Sequence, residues 1–469
     1  MAPITTSWII DGLVLISTPE QFVKDLYAKS AGEKMFGFYI FDKPYLMLRD
    51  TDLIKDVFIK DFHNFSNKIA AGNDYDKLGD KSVFLTKNPP WKHIRPKLSP
   101  IFTSGKLKKM FQLMLEICHD FGEYLENLEI DDKIGKPIEV KEMFAKFTTD
   151  LIGTTAFGMK FNSLLDPNAE FRKRGKQIFE TSYRRYLELI AIFLAPPLRI
   201  FTKPTFFEKN NSKFLSDTFW NVINHRMTTG IKRADFIDLL IDIKKSQDDD
   251  FSNSYKLDDD DLVAQAAIFF SGGFETSATT SSFVLYEIAK NQEIQTKLRN
   301  EILNGLEETS GKITYELVTN MPYADMVIQE SMRIYPILSW LDRVAENDYT
   351  FSGTDITIKK GTPVILPTRA LQMDPELFHD PEIFDPERFS PENKGSIVPM
   401  SYFPFGKGPR NCVGGRLGMI QIKLALIKVL SKYEISHCKD TVDPIVLDNF
   451  TIFTLARGDL FLNLRKISS

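Results

Sequence analysis

Apolar residues from Leu107 to Leu125 recur at the three-and-four spacing of one helix face, and those from Phe144 to Phe157 do the same. The spacing predicts a much longer helix from Asp259 to Lys290. It opens on the acidic run Asp258 to Asp261, whose carboxylates complement the positive end of the helix dipole. Before it, Ser246 to Asp261 reads as an acidic, polar loop. Helices are also predicted over Gln292–Leu306, Glu316–Tyr335 and Gly415–Tyr433. Strands come first and late. Phe36–Ile40 and Tyr45–Leu48 are apolar runs around a turn at Asp42-Lys43-Pro44, and Asp342 to Val364 reads as short strands. Leu187 to Phe207 is unusually apolar, but Pro196, Pro197 and Pro204 forbid one straight helix. Asp374 to Pro404 is proline-rich and irregular. With no internal repeat and no clear linker, residues 1–469 read as a single domain, mainly α with a small β part.

Composition adds limits rather than an identity. The 43% hydrophobic content of a 469-residue chain supports a sizeable core. The 38 phenylalanines suit either a large interior around a flat apolar group or ordinary core filling. A formal charge of −4 offers no electrostatic case for nucleic acid. Three cysteines, Cys118, Cys412 and Cys438, argue against a disulfide framework and for a reducing compartment. The apolar stretch Trp8 to Ile16 is broken by Asp11 and Gly12, too short to span a bilayer, and Met1 to Ser7 carries no Lys or Arg. The N-terminus therefore reads as a loop or buried segment, with no membrane anchor. The six histidines show no metal-ligand spacing, and there is no Gly-x-Gly-x-x-Gly nucleotide fingerprint.

Three constellations carry chemistry. In Phe405-Gly-Lys-Gly-Pro-Arg410-Asn-Cys412-Val-Gly414, the cysteine precedes the N-terminus of a predicted helix, where N–H groups favour a thiolate. Arg410 adds a cation, and Gly408 and Gly414 let the backbone curl close. The plainer alternative is a buried structural cysteine. In Phe270-Ser-Gly272-Gly273-Phe274-Glu275-Thr276-Ser277, two glycines weaken the middle of the long helix by about 1 kcal/mol each, and an acid sits beside a threonine among apolar neighbours. Glu330 and Arg333 share a helical face, which alone reads as a surface ion pair. Asp385-Pro-Glu-Arg388-Phe389 follows before the cysteine loop.

The cysteine loop resembles the signature of the cytochrome P450 family, and the resemblance covers nearly the whole chain. Trp91-Lys-His-Ile-Arg95 and Phe102-Thr-Ser-Gly-Lys-Leu-Lys108 resemble its microsomal branch. The run from Phe36 to Leu46 resembles arthropod enzymes that clear plant toxins and insecticides. The resemblance implies the P450 fold, with the long helix over a haem b whose iron is ligated by Cys412. It implies a monooxygenase that puts one atom of dioxygen into a lipophilic small molecule. Electrons come from NADPH through NADPH–cytochrome P450 reductase, with cytochrome b5 as an optional second donor. Thr276 then hydrogen-bonds the oxygen being activated and Glu275 helps relay protons. Glu330, Arg333 and Arg388 form a structural cluster. Trp91, Arg95, Arg343 and Arg410 hold the haem carboxylates, and Phe405 and Gly414 complete the loop around the cofactor. The pocket would be lined by Phe84, Ile268, Ser271, Gly272, Thr276, Leu338, Ser339 and Phe453 or Thr454. Lys92, Lys97, Lys407 and Arg416 would form a docking patch for the electron donor. Leu187 to Phe201 would touch the membrane, placing the protein peripherally on the cytosolic face of the endoplasmic reticulum. Two other classes stay open: a haem-thiolate isomerase or dehydratase needing no oxygen, and a non-catalytic ligand-sequestering haem protein.

Overall fold

Strands Met35–Ile40 and Lys43–Leu48 pair antiparallel through Met35↔Leu48 to Ile40↔Lys43. The turn is therefore Phe41-Asp42, with Phe41 at a positive φ of 55°, rather than the three residues expected; Lys43 and Pro44 already belong to the second strand. The computed structural model describes residues 19–70, 72–233, 235–248 and 256–467. The expectation for Trp8 to Ile16 lies outside the described residues. The hairpin joins a four-stranded sheet in which Leu46 pairs parallel with Val364 of Pro363–Leu366, and Arg343 of Leu341–Val344 pairs antiparallel with Val364. Arg343 is thus fixed on the edge strand beside Pro363–Leu366. Lys136–Glu139, Phe461–Lys466 and Tyr433–Ser436 form a second sheet.

Tyr349–Thr350 and Thr357–Ile358 form a small third sheet, and helices make up most of the rest. The long helix is Asp259–Lys290, and most of its side chains are buried. Its start follows the acidic run: the Asp258 carboxylate accepts the Asp261 N–H at 2.8 Å, while Asp261 accepts the Asp258 N–H at 2.9 Å. This reciprocal pairing satisfies two N–H groups that a helix end otherwise leaves unbonded. Several boundaries differ from expectation. Helix Phe236–Asp248 runs through Ser246, so the acidic loop begins later. Glu316–Tyr335 is two helices, Tyr315–Thr319 and Pro322–Ile334. Pro322 suits a first helical position, and the Glu301 carboxylate accepts the Tyr323 and Ala324 N–H groups at 2.7 and 2.8 Å. Phe144 to Phe157 ends in a π turn at Gly153–Phe157, and the cysteine helix is Gly415–Leu430, with Tyr433 opening a strand.

The apolar stretch from Leu187 divides into helix Tyr183–Phe193 and short turns over Pro196–Leu198 and Arg199–Thr202. Ile192 and Leu194 are core residues, whereas Ile200 and Phe201 are 81% and 84% exposed. The exposed part of the stretch therefore shrinks to the tip of the turn.

The phenylalanines largely serve helix packing. Phe161 stacks on Phe171 at 3.6 Å, and Phe270 of the long helix meets both edge-on at 5.8 and 5.4 Å. Such pairs add about 0.5–1.5 kcal/mol each beyond burial. No helix among the described residues is long and apolar enough to cross a membrane.

Candidate active site

The cysteine loop closes on itself: the Cys412 N–H donates to the Phe405 carbonyl at 2.8 Å. Gly408 has φ 74°, and a Cβ there would lie 1.9 Å from the Phe58 carbonyl oxygen, so only glycine fits. Gly414 plays another part. A Cβ there would meet nothing within 4 Å, so open space lies beside the cysteine. Cys412 is exposed to that space, although protein encloses it on the other sides. Burial pushes its thiol above the ordinary value; the Gly414 N–H and the Arg95 and Lys68 cations oppose the rise. A cation that ligates the sulfur would overcome that burial and deprotonate it.

Arg410 is not the cation beside the sulfur that the loop suggested. Its Nε donates to the Ser66 carbonyl at 2.5 Å, its Nη2 to the Thr86 carbonyl at 3.1 Å, and its guanidinium lies 4.1 Å from the Trp91 ring centre. It anchors the cysteine loop to residues 66–86, and Arg95 takes the nearer place by donating to Asn411 Oδ1 at 2.9 Å.

Arg410 instead belongs to a group of four cations with Lys68, Arg95 and Arg343. Burial pulls Arg343 down to about 10. Burial, then Arg343, pulls Arg410 down to about 9, and burial, then Arg410, pulls Lys68 down to about 7. Arg343 is 2% exposed and its Nε has no hydrogen-bond partner. The carboxylates acting on Arg410 are Asp342 and Glu346. Four cations against two carboxylates leave two positive charges unbalanced, which matches the two propionates of haem b. An unpaired buried guanidinium N–H and two surplus charges are what a dianionic ligand edge would satisfy.

On the long helix, Ile268, Gly272 and Thr276 follow at four-residue steps and share a face. Gly272 is exposed amid buried neighbours, and a Cβ there would meet nothing within 4 Å. Gly273 has a different reason: a Cβ would come within 2.7 Å of Ile152, so it admits close packing of helix Val140–Ile152. Of the two glycines, only Gly272 leaves open space beside the helix. Thr276 Oγ1 donates to the Gly272 carbonyl at 2.8 Å. Glu275 points the other way, is 5% exposed and accepts from Lys141 Nζ. Ser271 is 1% exposed and donates to the Ile268 carbonyl at 3.2 Å, so it does not line the open face.

The other pocket residues form two groups. Phe84 stands with Phe193 and Phe206 at 5.8 and 6.1 Å, on a loop fixed by the Val83 N–H donating to Gln265 Oε1 at 2.8 Å. Leu338 bridges Phe453, and the Thr454 N–H donates to the Ile337 carbonyl at 2.9 Å. Thr454 and Ser339 are buried. A cavity of about 590 Å³ beside Cys412 is lined by Arg95, Phe102, Phe405, Asn411, Val413 and Met419. The expected substrate residues lie elsewhere.

Glu330 and Arg333 are both fully buried, which excludes the surface-pair reading. Both carboxylate oxygens accept from Arg333 at 2.7 Å, and Arg388 Nε reaches Glu330 at 3.4 Å. Arg333 also donates to the Gln372 and Pro381 carbonyls at 2.8 Å, and Gln372 Oε1 accepts the Phe403 N–H at 2.8 Å. The cluster thereby fixes the segment entering the cysteine loop.

Sequence reasoning did not single out Lys68, Lys141, Asn411 or Asp342. Asn411 lies in a variable place of the cysteine signature. Lys68 and Lys141 carry no local pattern, and only tertiary packing brings them to the site.

A cysteine facing open space at a helix start, beside two surplus buried cations, is the arrangement of a haem-thiolate protein. The family model for cytochrome P450 matches residues 2–462. Cytochrome P450 6k1 of Blattella germanica is 43% identical over 446 residues, covering 92% of this chain and 84% of that one. Probable cytochrome P450 6g2 of Drosophila melanogaster is 36% identical over 478 residues, covering 98% and 92%. Cytochrome P450 6a2 of the same fly is 36% identical over 452 residues, covering 95% and 89%. The chain belongs to the cytochrome P450 family. It is a haem-thiolate monooxygenase that uses haem b, takes electrons from NADPH through a reductase and acts on lipophilic substrates.

Proposed function

We propose that residues 1–469 act as one catalytic domain in which Cys412 is the axial thiolate. The supporting observation is its exposure to open space beside two unbalanced cations. When bound, haem activates dioxygen so that one oxygen atom enters the substrate and the other leaves as water. Arg95, Arg343, Arg410 and Lys68 hold the two cofactor carboxylates, and the Trp91 ring supports Arg410. Phe405 and Gly414 shape the loop around the cofactor. Gly272 leaves room on the distal face, and Thr276 presents a hydroxyl there whose proton rests on the Gly272 carbonyl. Glu275 stores a proton-accepting carboxylate one residue away, held by Lys141, whose side chain is 28% exposed and connects it to solvent. Phe84, Ile268, Leu338 and Phe453 offer apolar surface to the substrate, and the buried Ser339 follows Leu338 in the chain. Thr276 and Glu275 favour oxygen insertion over an oxygen-independent isomerase or dehydratase.

Electron donors, the reductase and cytochrome b5, dock over Lys92, Lys97, Lys407 and Arg416; all but the half-buried Lys97 are exposed. The exposed Ile200 and Phe201 support peripheral membrane contact, on the cytosolic face of the endoplasmic reticulum. The test of the ligand is the reduced, carbon monoxide-bound spectrum. Cys412→Ala loses the red-shifted Soret band of thiolate-bound haem, while Cys118→Ala and Cys438→Ala keep it. Retention of the band in Cys412→Ala overturns the assignment.

A further inference from the structure

Phe84 stands on a short connection whose place is decided from outside it. One side chain of the long helix grips the backbone just before the ring. Gln265 Oε1 accepts the Val83 N–H at 2.8 Å, and Gln265 Nε2 donates to the Lys81 carbonyl at 2.8 Å. The same Nε2 donates to the Asp261 carbonyl at 2.9 Å, which fixes the amide on its own helix. Gln265 is fully buried, so its bonds form in a poorly screened interior. An ion pair between Lys81 and Asp258 closes the outer edge of the contact. Asp76 holds the other side of the loop. Its buried carboxylate accepts the Gly79 N–H at 2.9 Å, within helix Lys77–Lys81, and the Phe206 and Phe207 N–H groups at 2.6 and 3.0 Å. Phe206 is itself a ring neighbour of Phe84, and the Lys68 ammonium lies 4.4 Å from the Phe84 ring centre.

The position of Gln265 along the helix gives this grip a function. Gln265 precedes Gly272 by seven residues, close to two turns, so it lies on the face that carries Ile268, Gly272 and Thr276. At a rise of about 1.5 Å per residue, Gln265 and Gly272 are roughly 10 Å apart along the axis. The two bonds to residues 81 and 83 therefore hold Phe84 at a set distance from the open space beside Gly272. Both amide donors of Gln265 are taken by backbone carbonyls, so it offers no donor to a ligand. Its influence on a substrate runs through the ring it places.

We propose that Gln265 is a positioning residue for substrate selection: it registers Phe84 on the long helix and so sets how bulky an apolar group fits between that ring and Gly272. The proposal rests on the reading of Phe84 as pocket wall and names what holds that wall in place. Discrimination of this kind is by the shape of an apolar group and not by its charge.

The test is spectral titration of the haem-loaded full chain with imidazole and with phenylimidazole. Both ligate the iron through a ring nitrogen, and only the second extends a phenyl group towards the wall. The readout is the ratio of the two dissociation constants within each variant, which a general loss of stability does not move. Phe84→Leu lowers the preference for phenylimidazole about fivefold, the worth of an aromatic contact. Gln265→Met lowers it in the same direction, and the double variant of Gln265→Met with Phe84→Leu falls no further than Phe84→Leu alone, because both act through one ring. Hydrogen exchange over residues 79–86 rises in Gln265→Met. Gln295→Met is the matched control. Gln295 is also fully buried and also bonds one N–H and one carbonyl, those of Ile435 at 2.9 and 2.8 Å, so its loss weakens the fold but leaves the ratio unchanged. Gln265→Asn, with a shorter amide, gives the same direction if Gln265→Met does not load haem. A parent ratio kept by the Gln265 variants, effects that add in the double variant, or an equal shift in Gln295→Met overturns the proposal while leaving Phe84 in the pocket. A parent ratio kept by Phe84→Leu overturns the reading of Phe84 as pocket wall, and the proposal with it.

Discussion

Removing the Glu330 carboxylate is the sharpest test of how the cysteine loop is held. Glu330→Ala deletes the acceptor for two Arg333 bonds of 2.7 Å, the Asp385 N–H at 3.0 Å and the longer Arg388 contact at 3.4 Å. Breaking a buried ion pair costs about 3–5 kcal/mol, because one charge stays buried without its partner. Arg333 keeps the Gln372 and Pro381 carbonyls, which favours the lower half of that range for the pair. The lost Asp385 bond adds roughly 1 kcal/mol. A total of about 4–5 kcal/mol is a large part of the roughly 5–15 kcal/mol that holds a typical domain together. Glu330→Gln should be little better, since its amide would turn a donor towards the guanidinium. Arg388→Ala loses the long Glu330 contact and bonds to the His379 and Asp380 carbonyls but leaves the Glu330–Arg333 pair intact, so it should cost less. Removing the exposed Lys213–Asp217 pair, with side chains 78% and 61% exposed, should cost no more than about 0.3–0.5 kcal/mol. The assay is the yield of carbon monoxide-binding holoprotein together with thermal unfolding of each variant. If Glu330→Ala melts with the parent and carries full haem, the buried pair is not what holds the loop.

Three further outcomes follow from the same geometry. Thr276→Ala should bind haem and substrate but divert NADPH to peroxide, with Thr276→Ser recovering part of the coupling; equal coupling in all three removes the assigned role. Lys68 sits near 7 without its ligand, so above that pH haem uptake must also recruit a proton to recharge it. Haem retention should therefore fall as pH rises from about 7 towards the ordinary lysine value near 10.4. Transfer of haem to a scavenging protein measures this, and Lys68→Met should flatten the slope; an unchanged slope refutes the linkage. Cys118 is 2% exposed, with burial pushing its thiol up to about 12, so maleimide should modify it only after unfolding, as mass spectrometry of the labelled peptides will show.

What could be read from the chain divides by the range of the interactions involved. Helix periodicity and the acidic start of Asp259–Lys290 are local, and the structure follows them closely. So does the cysteine loop, whose glycines carry a backbone requirement. The boundaries that moved did so for reasons outside the local pattern. Pro322 starts a helix because Glu301, from another helix, supplies the cap. Ile192 and Leu194 are as apolar as Ile200 and Phe201, yet the first pair faces the core and the second faces outward. No periodicity distinguishes them, because the turn between them decides. Ser271 fails as a pocket residue for a similar reason: one helical step rotates it from the open face to the packed one. Lys68, Lys141 and Asp342 become part of the site only through long-range contact.

The buried charges of this protein are of two kinds, and the difference separates structure from binding. Glu330 with Arg333 and Arg388 is nearly complete in itself: the carboxylate is fully bonded, and the surplus guanidinium donors reach backbone carbonyls. Such a cluster has no need of a ligand, and its loss should act through stability. Lys68, Arg95, Arg343 and Arg410 are not complete, since Asp342 and Glu346 balance only two of them, and burial holds all four below their ordinary values. Folding alone gains nothing from gathering them; each repels the next in a poorly screened interior. A dianionic cofactor edge reverses the sign of that energy, so the arrangement that weakens the free chain strengthens its hold on haem. Because a ligand that binds only the folded state stabilises it by an amount that grows with the logarithm of its affinity, removing one of these cations should cost the holoprotein more than it costs the chain without haem. For Glu330 the two costs should be nearly equal. Comparing Arg343→Ala and Glu330→Ala with and without haem distinguishes the two kinds of charge, and equal ratios for the two variants would mean that the cation group is structural after all.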